Sequence, residues 1–328
     1  MLRRVAVTTA PGQSPLARTR KGSDRLGDKL LYGLTALAAL LGIVIVFAIV
    51  WRVADGAWPA MKTFNVSFLW HNEWNVVKDR YGGRDLIIGT LVTSFGAILL
   101  SAPLSIAIAL FLSELAPPSI RGLIGTLIEM LAAVPSVVVG LWGIFVLAPF
   151  DAQHVQPLLG RWLGWIPIFA HGQDKVESTV FTAIIVLTIM TIPITSSICR
   201  ELFIGVPTEL EEASIGLGAT RWEMVKTVVV PSVRGGVVAA DILGLGRALG
   251  EAIAVTQVIG NFIPLHLSIL EPGDTLASRM ANQFQGATTN LQIASLIYLG
   301  FVLLVITFVS NFAAQRIVKR FEAQRRGA

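Results

Sequence analysis

The chain is short of charge, has a single cysteine and has no phosphate loop. Charged residues make up 14% of its 328 positions, where soluble domains carry about 25%. With 54% hydrophobic residues and a mean hydropathy of +0.69, it is a membrane protein by composition. Cys199 stands alone, which excludes an intrachain disulfide and leaves it a small apolar filler in a helix. No G-x-x-x-x-G-K-S/T run is present, so no loop of that kind can cradle a nucleotide here. The four histidines, His71, His154, His171 and His266, are scattered without metal-ligand spacing and read as surface residues. No nucleophile–base constellation stands out, so neither a catalytic nor a metal site is expected. The first residues, to about Asp28, are polar and basic and lack the apolar core of a signal peptide.

What the chain has in plenty is apolar runs. A helix needs about 20 apolar residues to span the hydrocarbon. Six segments qualify, at about 30–53, 86–115, 120–147, 176–199, 235–262 and 291–317. The expected fold class is all-α, a polytopic membrane protein with six transmembrane helices. Ala116-Pro117-Pro118-Ser119 makes a tight turn between the second and third, because proline cannot continue a helix. Lysine and arginine favour the cytoplasmic side. With the N-terminus inside, 17 of the 26 fall in the N-terminal segment, at Arg121, in 200–234 and after the last span; eight fall outside. Both termini and the 200–234 loop are therefore expected in the cytoplasm, which also explains most of the net charge of +5. The division expected is a basic tail (1–28), a first helix with an external loop (29–85), and a core (86–328). The external loops carry Trp58, Phe64, Phe68, Trp70, Trp74, Trp162, Trp165 and Phe169. These suit either an interfacial aromatic belt or a docking face for an external partner.

The 200–234 loop is too regular for a mere connection. Thr208 precedes Glu211 by three residues, and Thr220 precedes Glu223 by three. Each pair has the spacing of a capping box, so two short helices are expected from about 209 and 221. Gly216 and Gly218 break the chain between them, and Pro231 interrupts the second before the fifth span. Leu210, Ala213 and Ser214 leave one side of the first helix small, while Glu209, Glu211 and Glu212 charge the rest. Such a helix can lie in a groove on a partner, or it can be a solvated surface hairpin.

Charges inside the spans are the second signal. Arg247 and Glu251 are four residues apart in the fifth span, on one helix face, and can pair. Counted from Gly235, they lie roughly 18 and 24 Å along the helix. Each costs at least about 2.5–3.5 kcal/mol to insert, so ionisable residues at this depth point to function. Arg247 could meet a translocating anion with its planar guanidinium fork, with Glu251 as its partner. It could equally be half of a buried salt bridge that fixes register. Glu129, ahead of Pro135-Ser136 in the third span, could be a further partner for Arg247 or a structural hydrogen-bonder. Asp241 reads as structural. Gly246 and Gly250 read as a small-xxx-small packing pair.

Taken together these stretches resemble a known family. They are Gly89-Thr90-Leu91-Val92-Thr93-Ser94, Glu129-Met130-Leu131-Ala132-Ala133-Val134-Pro135-Ser136, the loop Glu212-Ala213-Ser214 with Gly218 and Pro231, Gly244-Leu245-Gly246-Arg247-Ala248-Leu249-Gly250-Glu251, and Ile259-Gly260-Asn261. From about residue 86 the chain is similar to the PstC family of phosphate ABC importer permeases. The loop resembles that family's ATPase-coupling EAA loop, with Ser214 in place of the second alanine. The resemblance implies a type I ABC importer permease fold. It implies pairing with a homologous PstA-like permease, two PstB-like ATPases and an external PstS-like phosphate-binding protein. ATP and magnesium would sit on the ATPase partner, with no cofactor in this chain and no nucleic acid. Glu212, Ala213, Ser214, Gly218 and Pro231 would couple to the ATPase, and Arg247, Glu251 and Glu129 would line the substrate pathway. The location implied is the bacterial inner membrane. The alternatives are a permease for another oxyanion, sulfate or molybdate, and an autonomous channel or secondary carrier.

Overall fold

The computed structural model describes residues 22–170 and 176–326. The basic segment up to residue 21, His171 and Lys175 lie outside the described residues. The chain divides into one unit ending at Arg52 and another running from Val53. Helix α1 is Gly22–Phe64. In the first unit its apolar side chains, Leu31, Tyr32 and Phe47 among them, stand exposed. A helix that is apolar all round needs lipid or protein to cover it.

In the second unit a short antiparallel pair, β1 (Trp74–Asn75) and β2 (Arg80–Tyr81), joins α1 to α2 (Arg84–Leu115). Then come α3 (Pro118–Ala132), α4 (Ser136–Leu163), α5 (Val180–Ile204), α6 (Thr208–Gly216) and α7 (Arg221–Gly250). The short helices α8 (Ile253–Val258) and α9 (Leu276–Gln283) lead to α10 (Asn290–Arg326). Among the described residues, six helices are long and apolar enough to cross a membrane: α1, α2, α4, α5, α7 and α10.

Two expected spans are re-cut by the structure. The third does not run 120–147. The chain breaks at Pro135, which is extended (φ −59°, ψ 138°) and N-caps the next helix, so α3 stops at Ala132 and α4 restarts at Ser136. The fifth does not start at 235 or reach 262. Its helix begins at Arg221 and ends at Gly250, with Glu251 extended at φ −73°, ψ 117°. Pro231 does not stop it. A π-helical turn at Val225–Val229 precedes the proline, and the α-helix resumes at Val230. The wide turn carries the chain past the missing N–H without ending the rod.

The most buried span is α5, with 61% of its apolar window covered against 22% for α7. Its Val180, Ile184, Leu187 and Met190 pack with Val255 and Val258 of α8. Nearer its other end, Cys199 and Phe203 pack with Val229 and Val237 of α7. Close approach depends on glycine. A Cβ on Gly244 would stand 2.7 Å from Thr191 Cγ2, and one on Gly236 would stand 2.7 Å from Leu202 Cδ1. A Cβ on Gly246 or Gly250 would meet nothing within 4 Å. The packing glycine of α7 is therefore Gly244, and the expected Gly246–Gly250 pair faces away from the rest of this chain.

Candidate functional site: the α6–α7 hairpin and the intramembrane charges

The hairpin is built by two local devices. Thr220 and Glu223 form the second expected capping box: Thr220 N donates to Glu223 Oε2 at 2.8 Å, and Glu223 N donates to Thr220 Oγ1 at 3.3 Å. The first box does not form. Pro207 is the N-cap of α6, and Thr208 is already helical, so no side chain caps that end. The far end of α6 closes through Gly218, at φ +93°. Gly218 N donates to Ile215 O at 2.9 Å, and Ala219 N donates to Ser214 O at 3.2 Å. This is the Schellman pattern, which takes up two helix carbonyls that would otherwise lack donors.

Of the residues expected to couple, Glu212, Ala213, Gly218 and Pro231 are exposed and Ser214 is half-buried. The motif reading missed the apolar side chains beside them. Leu217 is 90% exposed and Trp222 71%, although Trp222 directly follows the capped end and so marks where the second helix starts. Behind them a groove of about 430 Å³ is lined by Leu110, Glu114, Glu211, Ile215, Arg221 and Trp222. Burial, then Glu114, then Glu212 push the Glu211 carboxyl above the usual range.

The intramembrane charges do not pair as their spacing suggests. Because α7 ends at Gly250, Glu251 leaves the helix and cannot stand one turn above Arg247. Instead Glu251 Oε1 accepts from Ala254 N at 3.3 Å, which ties it to the first turn of α8. Arg247 is half-buried, and its Nε has no hydrogen-bond partner among the described residues. Glu129 does not reach Arg247 either. Its Oε1 lies 3.8 Å from Nη1 of Arg200, near the end of α5, a residue the motifs did not single out. Asp241 is half-buried on α7, with Oδ1 unpartnered among the described residues.

The aromatics expected outside fall into two sets, apart from the half-buried Phe169. Phe68 is fully buried and stacks on Tyr298, and Phe64 packs edge-on against Tyr81. Trp74 donates to Gln283 Oε1 at 2.7 Å and lies under Arg279. Phe68 and Trp74 tie the segment between α1 and α2 to α10 and α9, and Phe64 packs against that segment. Trp58, Trp70, Trp162 and Trp165 remain exposed.

Residues 101–323 match the family described as "Binding-protein-dependent transport system inner membrane component". The "Phosphate transport system permease protein PstC" of Pasteurella multocida is 41% identical over 308 residues, covering 93% of this chain and 96% of that protein. Its namesake in Haemophilus influenzae is 43% identical over 298 residues, covering 90% and 94%. Among solved structures, a bacterial alginate ABC transporter with its periplasmic protein aligns with TM-score 0.58 and 20% identity, over 90% of this chain and 99% of that one. The inward-facing MetNI methionine ABC transporter aligns with TM-score 0.54 and 16% identity, over 72% and 94%. At those identities the structures speak to the fold alone, which is that of an ABC importer permease.

Proposed function

We propose, from the premise that this chain belongs to the PstC family of binding-protein-dependent inner membrane transport components, that it is the permease subunit of an ATP-driven phosphate importer. Half of the translocation pathway runs beside Arg247, with Glu251 at the start of α8 and Glu129 further along, against Arg200, as the carboxylates of the pathway. One observation supports this most: a guanidinium in a membrane helix whose Nε no described group satisfies. A buried donor left open is costly unless something fills it, and a tetrahedral oxyanion suits an arginine fork. Relatives named for phosphate transport, matched over most of both chains, favour phosphate among the oxyanions.

The α6–α7 hairpin couples the permease to its ATPase. Glu212, Ala213, Ser214 and Gly218 form the contact, and Pro231 lies where it joins the membrane rod. ATP and magnesium bind the ATPase, two PstB-like copies, and not this chain. A PstA-like permease completes the pathway, and a PstS-like protein delivers phosphate from outside. Both termini lie in the cytoplasm of a bacterial cell.

Arg247→Gln tests the pathway. Losing a charge-assisted contact of about 1.5–3 kcal/mol lowers phosphate uptake roughly tenfold or more, while the ATPase still copurifies. Normal uptake by that variant would refute the role. Competition of uptake by sulfate would point to a broader oxyanion permease, and uptake without ATP would point to an autonomous carrier.

A further inference from the structure

Arg200 is a second cation held among apolar helices. Its side chain is 20% exposed, and its Nε has no hydrogen-bond partner among the described residues. Its ion pair with Glu129 is long, at 3.8 Å, beyond hydrogen-bond reach. Glu129 is 61% exposed on α3, beside the exposed Leu127 and Met130. A carboxylate among such residues is expensive against lipid, so this face of α3 meets protein or a wet passage. Gly125 lets the guanidinium lie against bare α3 backbone: a Cβ there would stand 2.9 Å from Nη1. Ser196, Ser197, Glu129 and Arg200 border a space of about 10 Å³, enough for one water.

The packing of α5 on α7 gives the relative depth. Gly244 meets Thr191 and Thr195, and Gly236 meets Leu202. Arg247 is thus level with about residue 190 of α5, and Arg200 lies roughly 15 Å further toward the hairpin at 1.5 Å per residue. Along the helix axes the second guanidinium therefore lies a few turns from Arg247, on the hairpin side.

We propose that Arg200 is an inner anion station of the pathway and that Glu129 is its exchangeable occupant. The carboxylate holds the guanidinium while the station is empty. An oxyanion arriving from Arg247 displaces it, takes the planar donor fork, and is displaced in turn when Glu129 returns. The long pair is what exchange needs, because a station must bind well enough to receive and loosely enough to release. The inference rests on the phosphate-permease reading and adds a residue and an order of events to it.

The test uses the complex copurified with the tagged chain, reconstituted in vesicles, with phosphate uptake and ATP hydrolysis measured together. Three variants are compared with wild type: Arg200→Gln, Glu129→Gln and the double variant. Arg200→Gln and the double variant are each expected to lose at least tenfold in uptake while ATP hydrolysis continues. Glu129→Gln keeps the fork but removes the carboxylate that displaces the anion, so it is expected to slow uptake several-fold without raising KM for phosphate. If the pair were only structural, removing both charges together would be tolerated, so near-normal uptake by the double variant overturns the proposal. Should the neutral variants fail to assemble, Arg200→Lys decides, because it keeps the charge and loses the fork. A several-fold rise in KM for phosphate is expected, and an unchanged KM overturns the proposal. Absence of phosphate uptake by the wild-type complex would instead count against the permease reading itself.

Discussion

Gly218 carries the turn of the α6–α7 hairpin through a single backbone angle. At φ +93° it has open space around it, and a Cβ placed there would meet nothing within 4 Å. The cost of Gly218→Ala is therefore conformational rather than steric, roughly 1–2 kcal/mol for a left-handed L-residue. The expected result is a lower melting temperature and weaker ATPase copurification. Gly216→Ala, at the last residue of α6 and equally uncrowded, should go the other way, by about 0.5 kcal/mol. Glu211 gives a prediction in pH. Its carboxyl is raised by burial, Glu114 and Glu212. The folded state thus binds this proton more tightly than the unfolded one, so stability falls as pH rises from the ordinary glutamate range through the raised value. Glu211→Gln should therefore melt above wild type at pH 7, and the gap should close near pH 4. A gap that widens on acidification would contradict this. At this scale Arg247 was legible because a charge inside an apolar run is visible without a structure. Arg200 was not, because it lies at the end of such a run, where a basic residue is what topology alone predicts.

The spans were legible as elements, since about 20 apolar residues in a row have few other uses. Their ends and breaks were not. Pro135 splits the third span while Pro231 is passed by a π-turn, and Pro103 and Pro193 stay inside α2 and α5. A proline's effect depends on whether neighbouring turns can absorb the lost hydrogen bond, and local sequence does not reveal that. The same holds for glycine. Spacing favoured Gly246 and Gly250 as the packing pair, but which face of α7 meets α5 is decided by the fold. The difference is measurable. Gly244→Val drives a branched side chain into Thr191 and Thr195 and should destabilise the isolated chain by about 1–3 kcal/mol. Gly246→Val and Gly250→Val should leave the isolated chain's melting unchanged and act only on the assembled complex, as lost copurification of the second permease. Equal destabilisation by all three in the isolated chain would mean that this face of α7 is packed within the chain.

At the scale of the whole molecule, the orientation rests on the distribution of lysine and arginine, and two exposed positions make it testable. Val77, in the hairpin between β1 and β2, is 95% exposed, and Leu217, at the turn after α6, is 90% exposed. The sole cysteine, Cys199, is fully buried, so a thiol introduced at either position reports against a silent background. With the α6–α7 hairpin in the cytoplasm, Val77→Cys should react with a membrane-impermeant maleimide in intact spheroplasts. Leu217→Cys should react only after permeabilisation. Because Leu217 stands at the tip of the proposed coupling hairpin, its labelling in permeabilised membranes should fall when the ATPase is bound and recover when the ATPase is stripped away. Labelling of Leu217→Cys in intact spheroplasts would reverse the topology. Labelling indifferent to the ATPase would move the contact elsewhere on the cytoplasmic face while leaving the topology as proposed.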